Sequence, residues 1–227
     1  VSVIPIVSLN VGMPKVVPFQ KKEVPTGIFK TPTDEALFLS YINLDGDGQG
    51  DLAHHGGREK AVCVYPYEHY PFWEKELAQP LVYGAFGENL TTQGLVETEV
   101  CIGDIFEWGQ AVVQVSQPRQ PCYKLTLRHG VPDMLLKVQQ TGYTGFYFRV
   151  LREGMVSRND GLSLVQRHPQ QITIAFANRI MHQDKENTEG MNQILAVQEL
   201  SSNWRATFQK RLAGIETDTR ERLTGEV

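Results

Sequence analysis

Ala111-Val112-Val113-Gln114-Val115-Ser116-Gln117-Pro118-Arg119-Gln120-Pro121-Cys122-Tyr123-Lys124-Leu125 passes from a run of β-branched residues into a loop stiffened by two prolines. The valines favour a pleated, half-buried surface, so the run from Ala111 to Ser116 reads as a strand. Pro118 and Pro121 fix their own φ and push the residues before them toward extended geometry. The strand is therefore expected to deliver the Cys122 thiol to the rim of a β structure. Arg119 and Lys124 flank it, and nearby cations favour the thiolate, the form that attacks electrophiles and binds soft metals. A free cysteine also serves as a small, inert hydrophobe, and at this point both readings stand.

Around this stretch, from the start to about Gln166, short apolar runs alternate with Gly, Pro, Asn and Asp. Ala36–Leu44, Ala61–Tyr65, Ile102–Trp108, Phe146–Leu151 and Leu162–Gln166 read as further strands, spaced as in a closed or nearly closed β body. Trp108-Gly109-Gln110 is a tight-turn candidate, and Arg158-Asn159-Asp160-Gly161 is a stronger one. Two helices are expected as lids on that body, over Glu68–Leu77 and over Pro132–Thr141, the latter with Pro at its start and Gly142 past its end. After His168-Pro169 the pattern turns helical. Thr173 can cap a run with Ile174, Ala177 and Met181, Gly190 precedes Ile194, Val197 and Gln198, and Ser201 can cap a run with Trp204, Phe208 and Leu212 on one face. The expected organisation is a mainly β domain over residues 1–168 and a small three-helix domain over residues 169–227.

The chain has 227 residues, enough to bury a core without staples. Its formal charge of −4, from 22 basic and 26 acidic residues, is too balanced to argue for nucleic acid, an acidic tail or a membrane surface. The helical tail has no basic surplus, with seven Lys and Arg against eight Asp and Glu from His168 onward, which disfavours a DNA-binding reading. Cys63, Cys101 and Cys122 are odd in number and widely spaced, so they suggest neither a disulfide framework nor a zinc knuckle, and a reducing cytoplasm fits best. Val1 to Val11 lack the basic start of a secretory leader, and no run approaches a membrane span.

A second constellation is Asp51-Leu52-Ala53-His54-His55-Gly56-Gly57-Arg58-Glu59-Lys60-Ala61. Paired glycines let the backbone approach a ligand, and His55, Arg58 and Lys60 add charge suited to an anion such as phosphate. The alternative is a loop with solvated charges. Asp45-Gly46-Asp47-Gly48-Gln49-Gly50-Asp51 fails as a calcium loop, because Gly56 stands where a bidentate Glu is required. No dinucleotide fingerprint or Walker loop is present.

Gln49-Gly50-Asp51 leading to His55-Gly56-Gly57, then Phe86-Gly87-Glu88-Asn89-Leu90, Gly103-Asp104 and Gln117-Pro118-Arg119-Gln120-Pro121-Cys122-Tyr123-Lys124 together resemble the MOSC family, named for the C-terminal domain of molybdenum-cofactor sulfurase. The likeness is to its YiiM-like branch, in which a MOSC β-barrel is followed by a three-alpha domain. Thr26-Gly27-Ile28-Phe29-Lys30 is similar to the family's N-terminal motif. The resemblance implies a barrel with peripheral helices. It also implies that Cys122 ligates molybdenum in a pterin-dithiolene cofactor, with Thr26, Lys30, His55, Lys60, Asn89, Arg119 and Lys124 as cofactor-binding candidates.

The implied reaction is two-electron reduction of N-hydroxylated compounds, such as 6-N-hydroxylaminopurine, to amines and water. With three scattered cysteines the chain cannot hold a ferredoxin cluster, so a separate donor, a flavoprotein or ferredoxin-like reductase, is expected. Nucleic acid and membrane are not expected as partners, and the chain is expected to be a monomer or homodimer. The alternatives are a cofactor or sulfur carrier that uses Cys122 without turnover, a metal-free enzyme with Cys122 as nucleophile and His55 as base, and a purely structural interaction domain.

Overall fold

A computed structural model describes residues 3–50 and 56–225. Its strands in chain order are β1 (Val3–Ile4), β2 (Ile6–Val11), β3 (Lys15–Phe19), β4 (Lys22–Thr26), β5 (Thr31–Thr33), β6 (Leu37–Leu39), β7 (Val62–Pro66), β8 (Leu90–Thr92), β9 (Ile105–Trp108), β10 (Ala111–Pro118), β11 (Phe146–Arg152), β12 (Gly154–Val156) and β13 (Leu162–Gln166). Helix α1 (Tyr70–Leu77) follows β7, while α2 (Lys124–His129) and α3 (Met134–Thr141) lie between β10 and β11. After the last strand come α4 (Ile174–His182), α5 (Thr188–Leu195), α6 (Ser202–Leu212) and α7 (Arg220–Thr224).

Nine strands form one curled sheet in the order β1-β13-β9-β10-β11-β7-β8-β2-β5. Pro5 alone separates β1 from β2, so a single run pairs with β13 at one end and with β8 at the other. The sheet thus curls back on itself. Proline supplies no ladder donor, which is why the pairing changes partner there. The expected turn at Gly109-Gln110 joins β9 to β10, with Ala111 opposite Trp108 and Gly109 at φ 54. The register of β10 against β11 shifts between Val115 and Gln117. Such bulges re-aim side chains, and this one lies just before the Cys122 loop.

Two expected strands are shorter than the sequence suggests. Of Ala36–Leu44 only Leu37–Leu39 is strand, because Ser40 N donates to Asn43 O at 2.9 Å and the Ser40 hydroxyl also donates to that carbonyl. Side-chain bonding of this kind competes with a ladder. Ile102–Trp108 begins its strand only at Ile105, since Gly103 sits at φ 91 and the Asp104 carboxylate accepts Cys101 N.

The helical tail is as expected at its caps. Thr173 Oγ1 accepts Phe176 N at 3.1 Å, and Ser201 Oγ accepts Trp204 N at 3.4 Å. The middle helix starts earlier than Gly190, because Asn187 caps it through Gly190 N at 2.7 Å. Ile174, Ala177, Ile180, Ile194, Trp204 and Phe208 share one apolar cluster with Phe106, Val113 and Phe148 of the sheet. Burial of that continuous surface is the main force holding the three helices to the barrel. Glu59 reinforces the seam by accepting Ser202 N and Oγ while pairing with Arg149. A second cluster, including Tyr65, Trp73, Phe86, Leu125 and Met134, seats α1 to α3 over one end of the sheet.

Candidate functional site

Cys122 lies in the loop between β10 and α2, 6% exposed, and lines a pocket of about 170 Å³. Its companions there are Lys60, Gln117, Gln120, Tyr147, Asn203 and the C-terminal residues Asp218, Glu221 and Arg222. Cys122 is therefore covered, and the cavity that it lines has both polar and charged side chains around it. Gln117 Nε2 donates to Pro118 O at 3.2 Å, while its buried Oε1 has no hydrogen-bond partner. An unpaired buried acceptor costs about 1–3 kcal/mol, so this atom marks a place where a donor group belongs.

Arg119 is buried behind Cys122, and its N–H donates to Gly145 O at 3.0 Å. Burial opposes the guanidinium charge, but Cys63, Tyr147, Cys122 and Glu88 outweigh that cost and hold its pKa above the ordinary value. Burial pushes the Cys63 thiol up, with Arg119 opposing, and it pushes the Tyr147 phenol up as well. The phenol thus stays protonated at neutral pH beside two sulfurs and a cation.

Lys30 and Asn89 meet on the far side of Cys63. Lys30 Nζ pairs with the Asp47 carboxylate, which also accepts Asn89 Nδ2 at 2.9 Å and Gly12 N at 3.0 Å. Asn89 Oδ1 in turn accepts Cys63 N at 3.0 Å. The fully buried Glu88 carboxylate positions this segment by accepting Gly84 N, Phe86 N and Thr91 Oγ1, together with the Tyr70 hydroxyl. Lys30 and Asn89 therefore form a buried network around Asp47, and neither lines the Cys122 pocket. Thr26 is buried at the end of β4 with its hydroxyl accepting Ile28 N at 3.2 Å.

The paired glycines lead into a 3-10 turn over Arg58–Lys60, with Gly57 at φ 92, and this turn carries Lys60 into the pocket. Arg58 goes elsewhere, its guanidinium 4.5 Å from the Tyr41 ring centroid, so the expected cradle loses one of its cations to a cation–π contact. His55 lies outside the described residues. Lys124 opens α2 and is buried beside Cys122 in the chain. Local sequence gave no sign of Gln117 as an unsatisfied acceptor, of Tyr147 beside Cys63, or of Arg222. Tyr147 sits between two phenylalanines in a strand, a pattern that reads as packing, and Arg222 is 100 positions from Cys122.

Among the described residues no group of three or more His, Cys, Asp and Glu could hold a metal, and no helix is long and apolar enough to cross a membrane. A metal at Cys122 would need its remaining ligands from a cofactor.

Residues 51–163 match the MOSC domain, and residues 172–214 match the YiiM-like, 3-alpha helix domain. The protein YflK of Bacillus subtilis (strain 168) is 55% identical over 206 residues, covering 91% of this chain and 93% of that one. The crystal structure of YiiM from Escherichia coli superposes with a TM-score of 0.82 at 34% identity, covering 98% of each chain. A protein of Gibberella moniliformis (strain M3125 / FGSC 7600) named a reductase is 37% identical over 163 residues, which are 70% of this chain and 29% of that protein.

Proposed function

Since the chain belongs to the MOSC family, with the helical extension of its YiiM-like members, we propose that it is a molybdenum-cofactor-dependent reductase of N-hydroxylated compounds. Its substrates would be of the 6-N-hydroxylaminopurine kind, reduced as R–NHOH + 2e⁻ + 2H⁺ → R–NH₂ + H₂O, with electrons from a separate flavoprotein or ferredoxin-like donor. The observation that carries this reading is Cys122 in a polar pocket with Lys60 and Arg222, with Arg119 behind it and the unpaired Gln117 Oε1 beside it. The name of the Gibberella relative supports the reductive direction.

The residues present fit such a group. A thiolate is a soft ligand, and surrounding cations suit an anionic dithiolene and phosphate. When bound, the cofactor supplies a metal that exchanges two electrons. The chain's own contribution is to hold that metal through Cys122 and to offset the sulfur's charge with Arg119. Lys60 offers a charge to anionic groups, and Gln117 Oε1 accepts an N–H. Tyr147, kept protonated by burial, hydrogen-bonds the Cys63 side chain at the edge of the pocket.

The test is turnover. Protein from a host that makes the cofactor, given a reductant and an N-hydroxylated purine, should form the amine catalytically. Molybdenum occupancy without amine would identify a carrier instead, and turnover without molybdenum would identify metal-free thiol chemistry.

A further inference from the structure

The chain beyond Gly214 lies outside the match to the three-alpha domain, which ends at residue 214, yet it returns to Cys122. Gly214 at φ 71 and the Ile215 N to Lys210 O bond of 2.9 Å turn it back from α6. It is anchored on both neighbours of the cysteine. Arg222 Nη1 donates to Pro121 O at 2.7 Å, and Tyr123 N donates to Arg222 O at 3.0 Å. Gly225 packs on the Tyr123 ring, where a Cβ would come within 2.9 Å, and its carbonyl accepts Lys22 Nζ. Residues 212–221 are exposed throughout, so little apolar burial holds the segment down. With it seated, the pocket measures about 170 Å³, below the roughly 300–1,000 Å³ of sites that enclose small molecules.

We infer that residues 215–225 form a strap over the Cys122 pocket and that Arg222 in it contacts an anionic group of the ligand the pocket takes. The chemistry is that of an arginine fork, whose several N–H donors pair with phosphate or carboxylate in two parallel bonds. Releasing Pro121 O frees Nη1 for that exchange. Asp218 and Glu221 lie on the same strap and also line the pocket. The inference rests on the pocket at Cys122 being a ligand site but not on which metal occupies it.

The experiment uses cofactor-free, full-length protein and reads alkylation of the Cys122 peptide by mass spectrometry, with neutral iodoacetamide and anionic iodoacetate compared. Arg222→Gln should lower the iodoacetate-to-iodoacetamide rate ratio at Cys122 by about threefold or more, and Arg222→Lys should restore most of it. Lys22→Met, which removes an anchor distant in sequence, should raise the iodoacetamide rate several-fold. A ratio unchanged in Arg222→Gln, or an iodoacetamide rate unchanged in Lys22→Met, overturns the inference. None of these readings needs molybdenum, so the reductase proposal and the strap stand or fall separately.

Discussion

Lys30 and Asp47 form an ion pair sealed from water, with side chains 2% and 0% exposed. The pair survives burial because Asp47 also accepts Gly12 N and Asn89 Nδ2, which occupy two more of its lone pairs. Removing one partner leaves the other charged and buried. Lys30→Met should therefore lower stability by about 3–5 kcal/mol in denaturant titration. Lys30→Met with Asp47→Asn should recover part of that loss. If the single variant unfolds at the wild-type midpoint, the pair does not hold the fold together.

Gly145 ties β11 to the loop that carries the cysteine. Its carbonyl accepts Arg119 N, its φ is 70°, and a Cβ there would lie 2.3 Å from Val64 O. Gly145→Ala is expected to cost about 2–3 kcal/mol from left-handed strain and the backbone clash. The same change should disturb the Arg119 loop, seen as a shifted Cys122 alkylation rate even below the melting transition.

Two histidines are held neutral. Burial lowers His129 to about 4, with Arg128 adding, and lowers His182 to about 3, with Arg222, Lys185 and Arg211 adding. An unfolded histidine titrates near 6.5, so below that pH the unfolded chain takes up protons that the folded chain refuses. Stability is full above about pH 7 and falls as pH drops from about 6.5 toward 4. The loss is at most about 2 kcal/mol per histidine between about pH 8 and pH 5. His182→Gln, which keeps an acceptor for Gln139, should flatten this profile by about half. An unchanged profile would mean that His182 does not titrate on unfolding.

Much of the barrel was legible because aromatic residues in β9 and valines in β10 stand on either side of a glycine turn, and because Thr173 and Ser201 announce their helices. The β3–β4 hairpin was not. Pro18 and Pro25 lie within its strands, and its turn places Gln20 at φ 54 where Gly or Asn is the usual signal. Helix α2 was missed as well, since six residues after two prolines show no period. In the site, Cys122 from the proline-stiffened loop and Lys60 after the glycine pair line one pocket. Arg58 followed a different course because an aromatic ring 17 positions earlier in the chain satisfies it. The strap was invisible for a related reason, because it is held by an arginine-to-carbonyl bond and a backbone bond that each span about 100 residues and leave no local pattern.

The most direct measurement is the molybdenum content per chain of wild-type protein and of Cys122→Ser, both isolated from one cofactor-producing host. About one metal per chain in the wild type and under about a tenth of that in the variant is expected, because a serine oxygen is a poor substitute for a soft thiolate. Equal molybdenum in the two proteins, with the variant folded, would contradict the assignment of the Cys122 sulfur as the metal's anchor.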